Sequence, residues 1–109
     1  MLEVILDTET TGLSATEKHR IVEIGCIELN NQIPTNKIFH NYVNPQRSVS
    51  EEAYKIHGYS DKFLSDKKTF SDISEDFLNF IKNNFKNNYV KKNVKKVIKK
   101  ILLNARSYT

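Results

Sequence analysis

The stretch that most constrains this 109-residue chain is its opening, Leu2–Leu13, with the sequence L-E-V-I-L-D-T-E-T-T-G-L. The continuous apolar run at residues 4–6 is typical of a strand buried on both faces. Asp7 follows this run directly, and Glu9 comes two positions later. Since alternate residues of an extended chain point the same way, the two carboxylates are predicted to share one face. Residues 10–12 add two hydroxyls and a glycine that is free to turn sharply.

Two carboxylates at the mouth of an apolar strand cost free energy unless a cation lies between them. Magnesium and manganese, which are hard and prefer oxygen ligands, are the obvious candidates. An isolated Asp-x-Glu is common, however, and in a polar turn both acids would point into water. The residues alone leave both interpretations open.

The whole string D-T-E-T-T-G-L resembles the first motif of the DEDD 3′–5′ exonuclease superfamily, in particular the proofreading epsilon subunits of bacterial DNA polymerase III. The resemblance implies phosphodiester hydrolysis by two divalent ions, Mg²⁺ or Mn²⁺, roughly 4 Å apart. Asp7 would bridge both ions, and Glu9 would assist one of them. The implied partners are the 3′ end of single-stranded DNA and the polymerase core subunits. An RNA-directed sister exonuclease is an alternative, because this motif does not distinguish deoxyribose from ribose.

Composition sets the outer bounds of the prediction. A chain of this length forms one domain at most, with a modest core. The single cysteine, Cys26, cannot form an internal disulfide and is interpreted as a small core residue. No secretory signal and no apolar run long enough to span a membrane is present, so a soluble, cytoplasmic protein is expected.

Two further strands are predicted after the opening one. Ile21–Leu29 is β-branched and apolar on both faces, which favours an interior strand. Asn30-Asn31 indicates a tight turn, and Lys37–Val43 is the next strand. The expected fold class is therefore α/β: the N-terminal part of a ribonuclease-H-like exonuclease domain, with a three-strand antiparallel meander, helices, and the later strands missing.

A short helix is predicted over Glu51–His57, with Ser50 as its N-cap and Gly58 as its C-cap. From the residues alone this is only a capped surface helix with a histidine at its end. The segment resembles the second recognisable block of the proofreading subunits. That resemblance implies Glu52 near the 3′-hydroxyl, Ile56 against the base or sugar, and His57 at the nucleotide.

A longer helix is predicted over Ser71–Phe85, with Ser71 as its cap. The resemblance covers about residues 1–81. The family's later motifs, Asn-x-x-Phe-Asp and His-x-x-x-x-Asp, are absent, since no acid follows Asp76 and no histidine follows His57. The metal site would lack half of its carboxylates. The general-base histidine that the last motif supplies in the family would be missing as well, and a general base contributes about 10²–10⁴ in rate. The chain alone is predicted to be inactive or nearly so.

The charge of the chain changes sign near residue 81. Residues 1–81 carry 8 basic and 13 acidic residues, whereas residues 82–109 carry 9 basic residues and no acid. We therefore divide the chain into an exonuclease-like domain, 1–81, and a Lys/Asn-rich tail, 82–109.

Within the tail, 88–103 is predicted to form a basic amphipathic helix. Such a helix could bind nucleic acid, an anionic membrane surface or a partner, or it could cover the open core. A truncated or frameshifted remnant is a further interpretation of the tail. The first strand, lacking its expected neighbour, is predicted to make the chain poorly soluble.

Overall fold

The structure, a computed structural model, describes residues 2–13, 18–84 and 89–92. In chain order its elements are β1 (Leu2–Thr10), β2 (Ile21–Asn30), β3 (Ile33–Tyr42), α1 (Glu51–His57), α2 (Asp61–Leu64), α3 (Phe70–Asn84) and β4 (Tyr89–Lys92). The strands form one sheet in the order β3-β2-β1-β4. The first three make the predicted three-strand antiparallel arrangement, and the α/β fold class is confirmed.

Strand β1 is longer than the apolar run that predicted it. Val4 and Ile5 are buried, and the strand continues through partly buried residues to Thr10. Asp7 and Glu9 therefore lie within the strand instead of beyond its end. Their predicted common face follows from the alternation of side chains along it.

The hairpin between β2 and β3 turns one residue later than predicted. Asn31 and Gln32 have φ values of 51° and 70°, the positive values that a two-residue type I′ turn requires. Because this turn is so short, β3 begins at Ile33 and not at Lys37. Pro34 is tolerated in β3 because that strand lies at the edge of the sheet.

The presence of strand β4 differs from two expectations, the helix predicted for the tail and the open edge predicted for β1. Tyr89–Lys92 pairs in parallel with β1, from Glu3↔Tyr89 to Leu6↔Lys92. The helix predicted over 88–103 is therefore wrong at these four residues, and residues 88 and 93–103 of that prediction lie outside the described residues. Tyr and Val have high strand propensity, and pairing with an available edge outweighs the helical spacing of the apolar residues. The edge of β1 is occupied, which removes the reason given for poor solubility.

Helix α3 begins one residue before the predicted cap. Thr69 precedes the helix, and its Oγ1 accepts a hydrogen bond from the Asp72 backbone N–H at 3.4 Å. The Asp72 carboxylate accepts one in return from the Thr69 N–H at 3.1 Å. This reciprocal arrangement is a capping box, so Thr69 caps α3 and Ser71 is a helical residue.

The described residues divide into two compact units. The first comprises 2–7, 25–40, 76–84 and 89–92. Phe39 packs there against Phe77 and Phe80, with ring centroids 5.7 and 5.9 Å apart. Cys26 is fully buried in this unit, and burial raises the pKa of its thiol from 9.0 to about 12. The prediction of an inert core cysteine fits this environment.

The second unit comprises 8–13, 18–24 and 41–75, and it holds most of the candidate site. Its buried apolar side chains are Val22, Ile24, Val43, Ala53, Leu64 and Ile73. The backbone N–H of Val43 donates to the carbonyl of Val22 at 2.7 Å, which continues the strand pairing beyond β3. Among the helices of the described residues, none is long and apolar enough to cross a membrane.

Candidate active site

Strand β1 carries the two acids of the opening motif. Asp7 and Glu9 are both partly buried, and each is held by interactions within the protein. Because they are two residues apart on one strand, their side chains leave the same side of the backbone. These two acids are the ones predicted from the sequence to bind metal, and that role stays a prediction.

The segment Thr10–Gly12, which follows the acids, is fixed by hydrogen bonds. The Thr10 hydroxyl donates to the carbonyl of Gly12 at 2.7 Å. Thr11 is fully buried, and its N–H donates to the carbonyl of Arg20 at 2.8 Å. The carbonyl of Thr11 accepts from the N–H of Ser50 at 2.7 Å. Thr11 thus joins the end of β1 to the approach to β2 and to the N-cap of α1.

His19 packs over this segment. Its Nδ1 lies 2.9 Å from the Thr11 hydroxyl oxygen, which also accepts from the N–H of Arg20 at 3.0 Å. A methyl group added at Gly12 would overlap the imidazole of His19. Gly12 does not have a positive φ, so the requirement for a glycine at this position comes from the close approach of His19.

Helix α1 has the predicted limits and caps. The hydroxyl of Ser50 accepts from the Ala53 N–H at 3.1 Å, and Gly58 adopts the left-handed conformation with φ 75°. Glu52 lies exposed in the first turn of the helix. Ile56, the predicted contact to the base or sugar, is 55% exposed, which leaves it available to a ligand.

His57, at the end of α1, is tied to the end of β1. Its Nε2 lies 3.0 Å from the carbonyl oxygen of Thr10, and its Nδ1 accepts from the N–H of Tyr59 at 3.0 Å. A carbonyl can only accept and a backbone N–H can only donate, so the proton is on Nε2 and the imidazole is neutral. The histidine is thereby fixed beside the residue that follows Glu9.

Tyr59 extends this arrangement into the sheet. Its ring stacks on His57, with centroids 4.9 Å apart and planes inclined by 18°. Its hydroxyl donates to Oε1 of Glu23 at 2.7 Å. Glu23 is only 5% exposed and lies on β2 between two buried apolar residues.

The donor set does not complete a two-metal site. Across 2–13, 18–84 and 89–92, no group of three or more His, Cys, Asp or Glu side chains is placed to hold an ion. Two carboxylates supply too few ligands for two doubly charged ions, and magnesium demands near-ideal geometry. The described residues therefore fit only part of the implied metal centre.

No role was predicted for His19, Glu23 or Tyr59, and Thr11 was noted only for its hydroxyl. The structure places these residues around the candidate site. A usable signal existed for Glu23, because an acid inside an apolar strand must find a hydrogen-bond donor. No comparable signal marks His19, whose partner Thr11 is eight residues away in the sequence.

The sheet order and the helices define a ribonuclease-H-like exonuclease fold of the DEDD class. The profile of the exonuclease family represented by RNase T matches residues 4–106. The chain belongs to this family. The match runs past residue 81, where the sequence resemblance to the epsilon subunits was predicted to end.

Among curated proteins, the chain is similar to the DNA polymerase III subunit epsilon of Rickettsia prowazekii, with 57% identity over 82 residues. That alignment covers 75% of this chain and 36% of the relative. The chain thus spans about a third of the length of such relatives.

Among solved structures, the chain is similar to Exonuclease X in complex with 5′ overhanging duplex DNA, at 29% identity and a TM-score of 0.59. That match covers 69% of this chain and 42% of the other. The nuclease domain of 3′hExo, a DEDDh family member bound to rAMP, has a TM-score of 0.64 at 21% identity. It covers 84% of this chain and 48% of the other, and it supports the fold alone.

Proposed function

We propose that this chain carries the 3′-terminal nucleotide site of a proofreading 3′–5′ exonuclease of bacterial DNA replication. The observation that carries the proposal is the hydrogen bond from His57 to the carbonyl of Thr10, which fixes α1 beside the strand bearing Glu9. Similarity to DNA polymerase III epsilon subunits supports the choice of a replicative DNA 3′ end. Polymerase core subunits are the corresponding protein partners.

Each site residue has a proposed role. Asp7 and Glu9 are the carboxylates that would face divalent ions, Mg²⁺ or Mn²⁺, and the scissile phosphate. Glu52, exposed on α1, would accept a hydrogen bond from the 3′-hydroxyl. His57 would pack against the terminal nucleotide with its neutral ring. Hydrolysis by this 109-residue chain alone is proposed to be negligible, because no acid beyond Asp76 is available to complete the metal ligands.

Recognition of a 3′ end can be measured separately from hydrolysis. Fluorescence anisotropy with a short 5′-labelled single strand should show preference for a 3′-hydroxyl over a 3′-phosphate end. We expect Glu52→Gln to reduce this preference by roughly 2- to 10-fold, the effect of losing one hydrogen bond.

Glu51→Gln is the matched control, because it makes the same change in the same exposed turn. Its ion pair with Lys55 spans 3.8 Å between exposed groups and contributes little. Equal binding of both ends by the unmodified chain would contradict the proposal. Tighter binding of an RNA 3′ end than of a DNA one would instead favour the RNA-directed alternative.

A second candidate function rests on charge. The segment 82–109 carries 9 basic residues and no acid, and a non-catalytic fragment could bind nucleic acid through it. Such binding would weaken steeply as salt rises, since each neutralised phosphate releases counterions. It would also be indifferent to the chemistry of the 3′ end. Salt-insensitive binding would exclude this candidate.

A further inference from the structure

We propose that Glu23 and Tyr59 are positioning residues that hold the imidazole of His57 in one orientation and one tautomer. The contacts among these three residues are the evidence for the positioning role. That this positioning presents His57 to the 3′-terminal nucleotide rests on the proposed function. Neither Glu23 nor Tyr59 touches the nucleotide in this account.

Both ring nitrogens of His57 are engaged by backbone groups, and one of these belongs to Tyr59. The N–H of Tyr59 occupies Nδ1 at 3.0 Å, which leaves the proton on Nε2 for the carbonyl of Thr10. A shift of Tyr59 would remove the hydrogen bond at Nδ1 and would leave the carbonyl of Thr10 as the partner that holds the proton on Nε2. The backbone of residue 59 therefore helps to fix the tautomer of His57.

The ring of Tyr59 is confined on several sides. One neighbour is His57, stacked at 4.9 Å, and another is Phe63, stacked at 5.7 Å with an angle of 24°. Tyr42 meets it edge to face at 5.1 Å. Such aromatic contacts are worth about 0.5–1.5 kcal/mol each beyond the area they bury. These contacts restrain the orientation of the ring plane more than they restrain translation of the ring within that plane.

Glu23 restrains translation of the Tyr59 ring. Its carboxyl is buried in β2, where a polar group is costly unless it is hydrogen-bonded. The short 2.7 Å bond to the Tyr59 hydroxyl gives the ring a fixed anchor in the sheet. A path of direct contacts thus runs from the interior of β2 to the carbonyl next to Glu9.

The test combines an NMR signature with nucleotide binding, using the full chain. Tyr59→Phe removes only the hydroxyl and keeps the ring and the backbone N–H. We expect the Nε2–H proton signal of His57, protected in the unmodified chain, to broaden or disappear through faster solvent exchange. The dissociation constant for deoxyadenosine 5′-monophosphate in Mg²⁺ should rise roughly 2- to 10-fold, as for one lost hydrogen bond.

Three further variants separate positioning from general damage. Glu23→Gln keeps an acceptor for the tyrosine hydroxyl and should retain the His57 signal, whereas Glu23→Met should lose it. Tyr54→Phe makes the same chemical change at an exposed tyrosine on α1 and should alter nothing. Amide spectra report whether each variant is folded.

The outcomes distinguish this inference from the proposed function. An unchanged His57 signal in both Tyr59→Phe and Glu23→Met would overturn the inference. Loss of that signal in a chain that binds no nucleotide would support the positioning role and count against the proposed function. Loss of the signal together with weaker nucleotide binding would support both.

Discussion

At the scale of single residues, Thr11 accounts for much of the order around the candidate site. It is fully buried, and its backbone and hydroxyl groups reach Arg20, Ser50 and His19. Satisfying every polar group of a buried residue avoids a penalty of about 1–3 kcal/mol for each one left unpaired. Thr11 therefore stabilises the end of β1 through its own hydrogen bonds.

Any side chain at position 12 is predicted to destabilise the fold, because the imidazole of His19 occupies the space beside Gly12. We expect Gly12→Ala to lower the free energy of unfolding by about 1–3 kcal/mol, since the added methyl overlaps the imidazole. Urea denaturation of Gly12→Ala, His19→Ala and the double variant measures this directly. In the His19→Ala background the glycine substitution should cost much less, and equal costs in both backgrounds would show that the overlap is unimportant.

The thiol of Cys26 is predicted to be unreactive in the folded chain. Its pKa is raised to about 12 by burial, so at pH 8 a disulfide reagent should react only after denaturant is added. Since the folded pKa lies above the ordinary value of 9.0, the thiol favours folding below about pH 9. This contribution is lost as the pH rises towards 12, so the stability advantage over Cys26→Ala should shrink there. Rapid labelling of the native chain would contradict this account.

At the scale of elements, the site helix was predictable and the strand at Tyr89–Lys92 was not. Ser50, Glu51 and Gly58 occupy positions with strong local preferences, so the limits of α1 agree with the prediction. The partners of Glu23 and Thr11 could not be predicted, because they come from segments distant in sequence. The strand at Tyr89–Lys92 was missed for the same reason, since pairing with β1 decides its conformation.

The cap of α3 gives an element-scale prediction. Thr69→Ala should destabilise the chain by about 0.5–2 kcal/mol, because it removes the hydroxyl half of the capping box. Ser71→Ala is the matched control and should change stability little, because Ser71 lies inside the helix and is exposed. Thermal denaturation followed by circular dichroism compares the two variants. A larger loss of thermal stability in Ser71→Ala than in Thr69→Ala would favour Ser71 as the cap, as predicted from the sequence.

At the scale of the whole molecule, the chain combines the fold of its family with a basic segment, 82–109, that contains no acid. The family profile extends over residues 4–106, so the fold assignment does not depend on the opening motif alone. The acids are nevertheless confined to the first 76 positions. Under the proposed function, binding of a 3′ end is therefore expected to be separable from its hydrolysis. The division at residue 81 remains a proposal, because the profile crosses it.

The central claim is tested most directly by release of the terminal nucleotide from a 3′-labelled single strand in Mn²⁺, comparing the chain with Asp7→Ala. Since two carboxylates alone do not hold two metal ions in position, we predict no release above the level of the variant. Release that requires Asp7 would contradict this prediction. It would mean that this chain obtains the remaining ligands and assembles a working exonuclease site.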